Sequence, residues 1–267
     1  MKKIVIALTA LAAFTGSAAA ADLGARPYTK APAPVAAVYN WTGFYIFGGG
    51  GGGLWSADSN VQTFPGGLAL SRDVRHGGSG WFGTVGGGYD MQFAGRWVAG
   101  IFGDAQFGDI RGDISDPFFL GSVGRMKLET SYAAGVRLGY LVAPNVLSYV
   151  NAGYTGSEWS GTTQSTVFVP GGAGVFTTPS FDRNGWFVGG GVENNLDLFG
   201  ISAPGWFMKT EYRSAFYDRI SLPGTATPAF GGGPTGTAIT FKPWTQTIST
   251  SLVYRFNWGG APVAARY

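Results

Sequence analysis

Residues 244–258 read WTQTISTSLVYRFNW. The even positions hold Trp244, Ile248, Leu252, Tyr254, Phe256 and Trp258, interrupted only by Gln246 and Thr250. The odd positions hold Thr245, Thr247, Ser249, Ser251, Arg255 and Asn257, with Val253 as the exception. Side chains of an extended chain alternate between two faces, so this segment has one apolar and one polar face. The apolar face begins and ends in tryptophan. A soluble sheet gives aromatic residues no reason to gather at both ends of its buried face. A membrane-spanning strand does, because amphipathic rings favour the two bilayer interfaces. The segment is expected to be a transmembrane β-strand.

The amino terminus agrees with export. Lys2 and Lys3 precede an apolar run over 4–15, and Ala18 to Ala21 supply small residues for cleavage. A run of that length is too short to cross a bilayer as a helix, which takes about 20 residues. Residues 1–21 therefore read as a signal peptide of a Gram-negative bacterium. Residues 22–38, with Pro27, Pro32 and Pro34, read as a periplasmic lead-in, 39–258 as the barrel, and 259–267 as a tail. The chain has 46 glycines, 15% aromatic residues, only 12% charged residues and no cysteine. That composition excludes disulfides and argues against a disordered chain. Without Lys2 and Lys3 the net charge falls from +3 to near +1, and no Lys/Arg run forms a nucleic-acid patch.

The same alternation recurs along the chain. After a first strand near 41–55, a second over about 79–93 sets Trp81, Val85, Tyr89, Met91 and Phe93 against Thr84, Asp90 and Gln92. A third, 96–109, sets Trp97, Ile101 and Phe107 against Asp104 and Gln106. The fourth sets Met126, Leu128, Tyr132, Val136, Leu138 and Tyr140 against Lys127, Glu129, Ser131 and Arg137. A fifth, 146–159, has no clear facing. The sixth sets Trp186, Val188 and Val192 against Glu193 and Asn195, and the seventh Trp206, Met208, Tyr212 and Phe216 against Lys209, Glu211 and Arg213. Residues 244–258 make the eighth.

Connections alternate between short (94–95, 143–145, 199–204) and long (56–78, 110–125, 160–183, 220–243). Outer-membrane barrels pair short periplasmic turns with long outer loops, and closure leaves no unpaired strand edge in lipid. The expected fold is all-β: an eight-stranded antiparallel transmembrane up-and-down β-barrel with four long outer loops. A secreted β-sandwich would not keep this alternation.

Several motifs carry a family resemblance: residues 22–32 (DLGARPYTKAP), 39–46 (YNWTGFYI), 185–193 (GWFVGGGVE), 209–212 (KTEY) and 252–256 (LVYRF). With these, the chain resembles the RopB-like small outer-membrane barrels of rhizobial and related α-proteobacteria, often labelled a porin family. The glycine run over 48–53 departs from relatives, which carry some larger residues there. The resemblance implies an integral outer-membrane protein, with a small diffusion channel as an alternative. Loop-mediated binding of haem or host surfaces is a third possibility that it implies.

An eight-stranded barrel is about filled by its own side chains, whereas wide pores take around sixteen strands. The expected lumen charges balance: Lys127, Arg137, Lys209, Arg213 and Arg255 against Asp90, Asp104, Glu129, Glu193 and Glu211. Buried charges must be paired or they cost several kcal/mol each, so a balanced set favours a cross-linked plug over an ion-selective channel. Trp41, Trp81, Trp97, Trp186, Trp206, Trp244 and Trp258 are expected in the aromatic girdles. Leu252, Tyr254 and Phe256 resemble the terminal strand that outer-membrane insertion machinery recognises. A mainly structural role, with display of outer loops, is expected.

Chemical motifs are few. His76, the one histidine, is expected in a solvated loop, and no second histidine or cysteine exists to build a zinc site. Asp109, Asp113 and Asp116 could hold calcium or simply be a polar loop. The run over 48–53 lacks a following Lys-Ser/Thr and cannot cradle phosphate; close backbone approach explains it better. Phe118, Phe119, Phe168, Phe176, Phe181 and Phe230 are aromatic loop residues that could form a binding patch if contiguous. No enzymatic activity, cofactor or metal is expected; the expected partners are outer-membrane lipid, lipopolysaccharide and insertion machinery.

Overall fold

The computed structural model of the chain describes residues 39–116, 121–166, 168 and 174–256. The expected signal peptide, lead-in and tail lie outside them, as do Trp258, Phe118 and Phe119. The strands are β1 (Gly43–Ser59), β2 (Val61–Thr63), β3 (Val74–Phe93), β4 (Trp97–Ser115), β5 (Ser122–Ala143) and β6 (Val146–Trp159). They continue with β7 (Thr162–Thr166), β8 (Gly174–Thr178), β9 (Phe181–Asn195), β10 (Trp206–Tyr217), β11 (Ile220–Ala226) and β12 (Gly233–Arg255).

Eight of them close a ring in the order β1-β3-β4-β5-β6-β9-β10-β12, and β12 pairs back onto β1. The fold is an antiparallel up-and-down barrel. Paired residues lead from Gly49 through Thr84 and Gln106 to Ser131 on β5. In the other direction they lead through Ser251, Lys209, Glu193 and Leu147 to Leu141, ten residues from Ser131 on the same strand. That stagger tilts the strands and narrows the lumen to the width of side chains.

Much of each long outer connection is also strand. After breaks at 160–161, 179–180 and 218–219, β7, β8 and β11 carry on from β6, β9 and β10. Their pairings β5–β7–β8–β11–β12 keep the wall closed beyond the membrane.

The outward face of residues 244–256 is the one expected. Trp244, Ile248, Leu252 and Phe256 are exposed and Tyr254 half-exposed, while Thr245, Thr247, Ser251, Val253 and Arg255 are buried inside. Trp81, Trp97, Trp186 and Trp206 also face outward. Cross-strand partners stack at both ends of this band. At the outer end Trp186, Phe216 and Trp244 stack in a row, 4.5 and 5.9 Å apart. At the periplasmic end Phe44–Tyr89, Trp97–Tyr140 and Trp206–Tyr254 meet at 4.8, 5.2 and 5.2 Å. Directly opposed aromatic pairs of this kind stabilise a sheet by about 0.2–1 kcal/mol each.

Glycine solves the closure of β1 on β12. A Cβ at the inward positions Gly49 and Gly51 would lie 2.1 Å from the Thr250 carbonyl oxygen and 2.0 Å from that of Ile248. At the outward Gly48 and Gly52 the nearest atom would be 3.9 and 3.8 Å away. The run therefore permits close backbone approach on one face.

Candidate functional site

The lumen is built from residues of one parity on each strand, and it fills in layers. At the periplasmic mouth the chain before β1 folds inward. Trp41 is 1% exposed, its indole packs on Phe207 at 5.0 Å, and its amide donates to Gln92 Oε1 at 3.0 Å. The Arg255 guanidinium lies 4.4 Å from the Trp41 ring and donates through Nη1 to its carbonyl at 3.4 Å. Trp41 is thus a stopper, not a girdle residue. It precedes the first paired strand residue, so strand alternation does not govern where its ring points.

Above it Asp90, Arg137, Glu193 and Arg255 stand on every second strand of the wall: β3, β5, β9 and β12. Acid and base alternate, and every neighbouring pair is bonded. Arg137 holds Asp90 through Nε at 2.8 Å and also through Nη2, and Glu193 through Nη1 at 3.1 Å. Arg255 holds Glu193 through Nε at 2.7 Å and Asp90 through Nη1 at 2.8 Å. Tyr45 lies under both guanidinium groups, 4.4 and 4.9 Å from its ring centre.

The next layer crosses the barrel. Arg213 on β10 makes a bidentate contact with Asp104 on β4 at 2.9 and 2.7 Å, and reaches Glu211 at 2.8 Å. The second Glu211 oxygen accepts from the Tyr149 hydroxyl at 2.8 Å and meets Lys209 Nζ at 3.7 Å. Lys209 also sits 3.3 Å from the Phe47 ring centre. Further out, Trp55, Phe82, Ile110, Met126, Leu128, Trp159, Phe181 and Phe241 form an apolar plug.

Two expected lumen charges, Lys127 and Glu129, lie on the outside of the wall. The β5 register shifts between Leu128 and Thr130, and the facing of the strand reverses there. Ser131 and Arg137 point inward below the bulge; Met126 and Leu128 point inward above it. A bulge adds one residue to one strand and has no reliable signature in alternation. Lys127 instead lies 4.0 Å from Asp109 and 3.8 Å from Glu129 on the outer surface. The lumen set is then Arg137, Lys209, Arg213 and Arg255 against Asp90, Asp104, Glu193 and Glu211, still balanced. The β6 facing is also settled: Tyr149, Asn151, Thr155, Ser157 and Trp159 point inward.

His76 is not a solvated loop residue. It lies on β3, buried in the outer extension beside a cavity of about 10 Å³ lined by Ile114, Met126, Leu222 and Phe241. Burial lowers its pKa below the ordinary value. Its inward position removes it as a ligand for haem held by the loops. Phe176 and Phe181 are buried as well, whereas Phe168 and Phe230 are exposed. Asp116 is buried while Asp113 faces outward, and among the described residues no group of acids or histidine is placed to hold a metal. Sequence reasoning missed Tyr45, Phe47, Tyr149, Phe187 and Phe207, large inward rings that read as breaks in the polar face. Their one signal is shared parity with arginine or lysine on the same or an adjoining strand.

Closed ring, lipid-facing aromatic bands and short turns at one end define the class: an outer-membrane β-barrel protein. No protein-family model matches the chain, and no curated protein matches it. Among solved structures it is similar to the outer membrane protein OprG from Pseudomonas aeruginosa, at 12% identity over 81% of this chain and 98% of that one, with a TM-score of 0.51. Neisserial surface protein A also matches, at 12% identity over 80% and 98% of the two chains, with a TM-score of 0.37. The expectation that the chain is not an enzyme is corrected by a third match, the outer membrane protease OmpT from Escherichia coli. That match has 12% identity, covers 79% and 97% of the chains and has a TM-score of 0.36. At that TM-score the likeness carries no argument for proteolysis here.

Proposed function

We propose that this chain is a non-conducting outer-membrane barrel of the RopB-like kind, exported by a signal peptide cleaved near residue 21. Its role is to stabilise the envelope and present its outer extension to the surroundings. The observation that carries this reading is the closed Asp90–Arg137–Glu193–Arg255 ring, in which each charge is bonded to both neighbours. A conducting lumen needs a continuous polar path with groups free to exchange partners. Here the ring lies between Trp41 on one side and the Arg213–Asp104 bridge and aromatic plug on the other. The lead-in and strand motifs support the kinship, and the terminal Leu252, Tyr254 and Phe256 support recognition by insertion machinery.

The test is a deletion strain. Cells lacking the protein should become more sensitive to detergent and release a periplasmic reporter, and the full-length gene should restore both. Unchanged envelope robustness in the deletion strain contradicts the structural role.

A further inference from the structure

The outer surface of β3, β4 and β5 carries Arg75, Arg111 and Arg125, one on each of three consecutive wall strands. Each is held through Nε by an aspartate of the wall: Arg75 by Asp58 at 2.9 Å, Arg125 by Asp113 at 3.3 Å, and Arg111 by Asp109. Their side chains are 73, 65 and 51% exposed. Among the described residues, neither terminal nitrogen of any of the three is hydrogen-bonded. The aspartates fix the planes of the guanidinium groups, and the free edges remain as forks that match phosphate or carboxylate oxygens. We infer that these three arginines bind the anionic headgroup of an outer-leaflet glycolipid.

Depth selects the ligand. Arg111 is four residues beyond the outward Phe107, and Arg75 six residues beyond the outward Trp81, on the side away from the turns. With tilted strands these steps place the forks about 10–15 Å above the aromatic band. The polar zone of a simple phospholipid leaflet is only about 5–8 Å deep. A headgroup of several sugars bearing phosphate or carboxylate reaches the forks; a glycerophospholipid headgroup does not. The β5 bulge is part of the site, because it turns Arg125 and Lys127 to the outside of the wall. The inference rests on the outer-membrane reading alone, so an unchanged envelope in the deletion strain leaves it standing.

The test is native mass spectrometry of the refolded protein in detergent with purified lipopolysaccharide, folding being verified by heat-modifiable gel mobility. Arg75→Gln/Arg111→Gln/Arg125→Gln should bind about a hundredfold more weakly than the unaltered chain. The triple lysine variant, which keeps charge but loses the forks, should fall between them. Millimolar inorganic phosphate should leave the lipid bound. Equal binding by the glutamine variant overturns the site. Wild-type binding by the lysine variant overturns the fork geometry, and displacement by inorganic phosphate overturns the glycolipid as its ligand.

Discussion

Asp104 and Arg213 face each other across the full width of the barrel, four strands apart whichever way the wall is followed. They are joined by parallel hydrogen bonds of 2.9 and 2.7 Å. The pair ties opposite walls together, so it acts as a cross-brace and fills the lumen. Removing one member leaves the other charge buried without its partner, at a cost of about 3–5 kcal/mol. Arg213→Met should therefore lower the urea midpoint of the folded barrel sharply, and Arg213→Met with Asp104→Leu should recover part of the loss. A double variant as unstable as the single one would show that the brace contributes only bulk.

The glycine run gives a test of facing with one substitution at a time. Gly49→Ala and Gly51→Ala place a methyl against the β12 backbone, whereas Gly48→Ala and Gly52→Ala meet nothing closer than 3.8 Å. Folded yield on a heat-modifiable gel should collapse for the odd positions and stay near normal for the even ones. Equal yields for all four variants would contradict the inward facing of Gly49 and Gly51.

Leu252 is exposed on the lipid face between the two aromatic bands. Leu252→Arg should lower the stability of the inserted barrel by about 1–2 kcal/mol, because Leu252 lies two residues from Tyr254 of the periplasmic band and the cost of a cation falls from the midplane towards the interface. Vesicle refolding yields measure this, with Leu252→Ile as the conservative comparison. An arginine variant that refolds like the isoleucine variant would place this face away from lipid.

His76 should make the outer extension acid-sensitive, because its imidazole is buried there. Burial lowers its folded-state pKa, and no charged group is among the causes of the shift. The unfolded side chain binds a proton near pH 6.5, and the folded one only at lower pH. The stability that depends on neutral His76 is thus fully present above about pH 6.5 and is lost as pH falls below it towards the folded value. Hydrogen-exchange protection factors in β2, β8 and β11, which correct for the intrinsic pH dependence of exchange, should fall between about pH 7.5 and about pH 5 in the unaltered chain but much less in His76→Gln. The same fall in protection in both would assign the effect to other groups.

The sequence made the wall legible because alternation is a direct imprint of a two-faced strand, as at Trp244 to Phe256. It made most of the lumen charges legible for the same reason. It misplaced Lys127 and Glu129 because a bulge reverses parity without changing composition. It misplaced Trp41 because the residues before a strand follow packing, not the pleat. The inward rings of Tyr45, Phe47 and Phe207 were hidden by the assumption that a lumen is polar; here each lies against a guanidinium or ammonium group. His76 looked like a loop residue because the barrel wall continues beyond the membrane, where glycine-rich, polar stretches still form strands.

Planar-bilayer recording of the refolded protein, with the folded barrel verified by heat-modifiable mobility, reads whether the lumen is closed. Intact barrels should give no conductance steps, because the Asp90–Arg137–Glu193–Arg255 ring and Trp41 leave no continuous water path. Reproducible steps from verified barrels of the unaltered chain would contradict it.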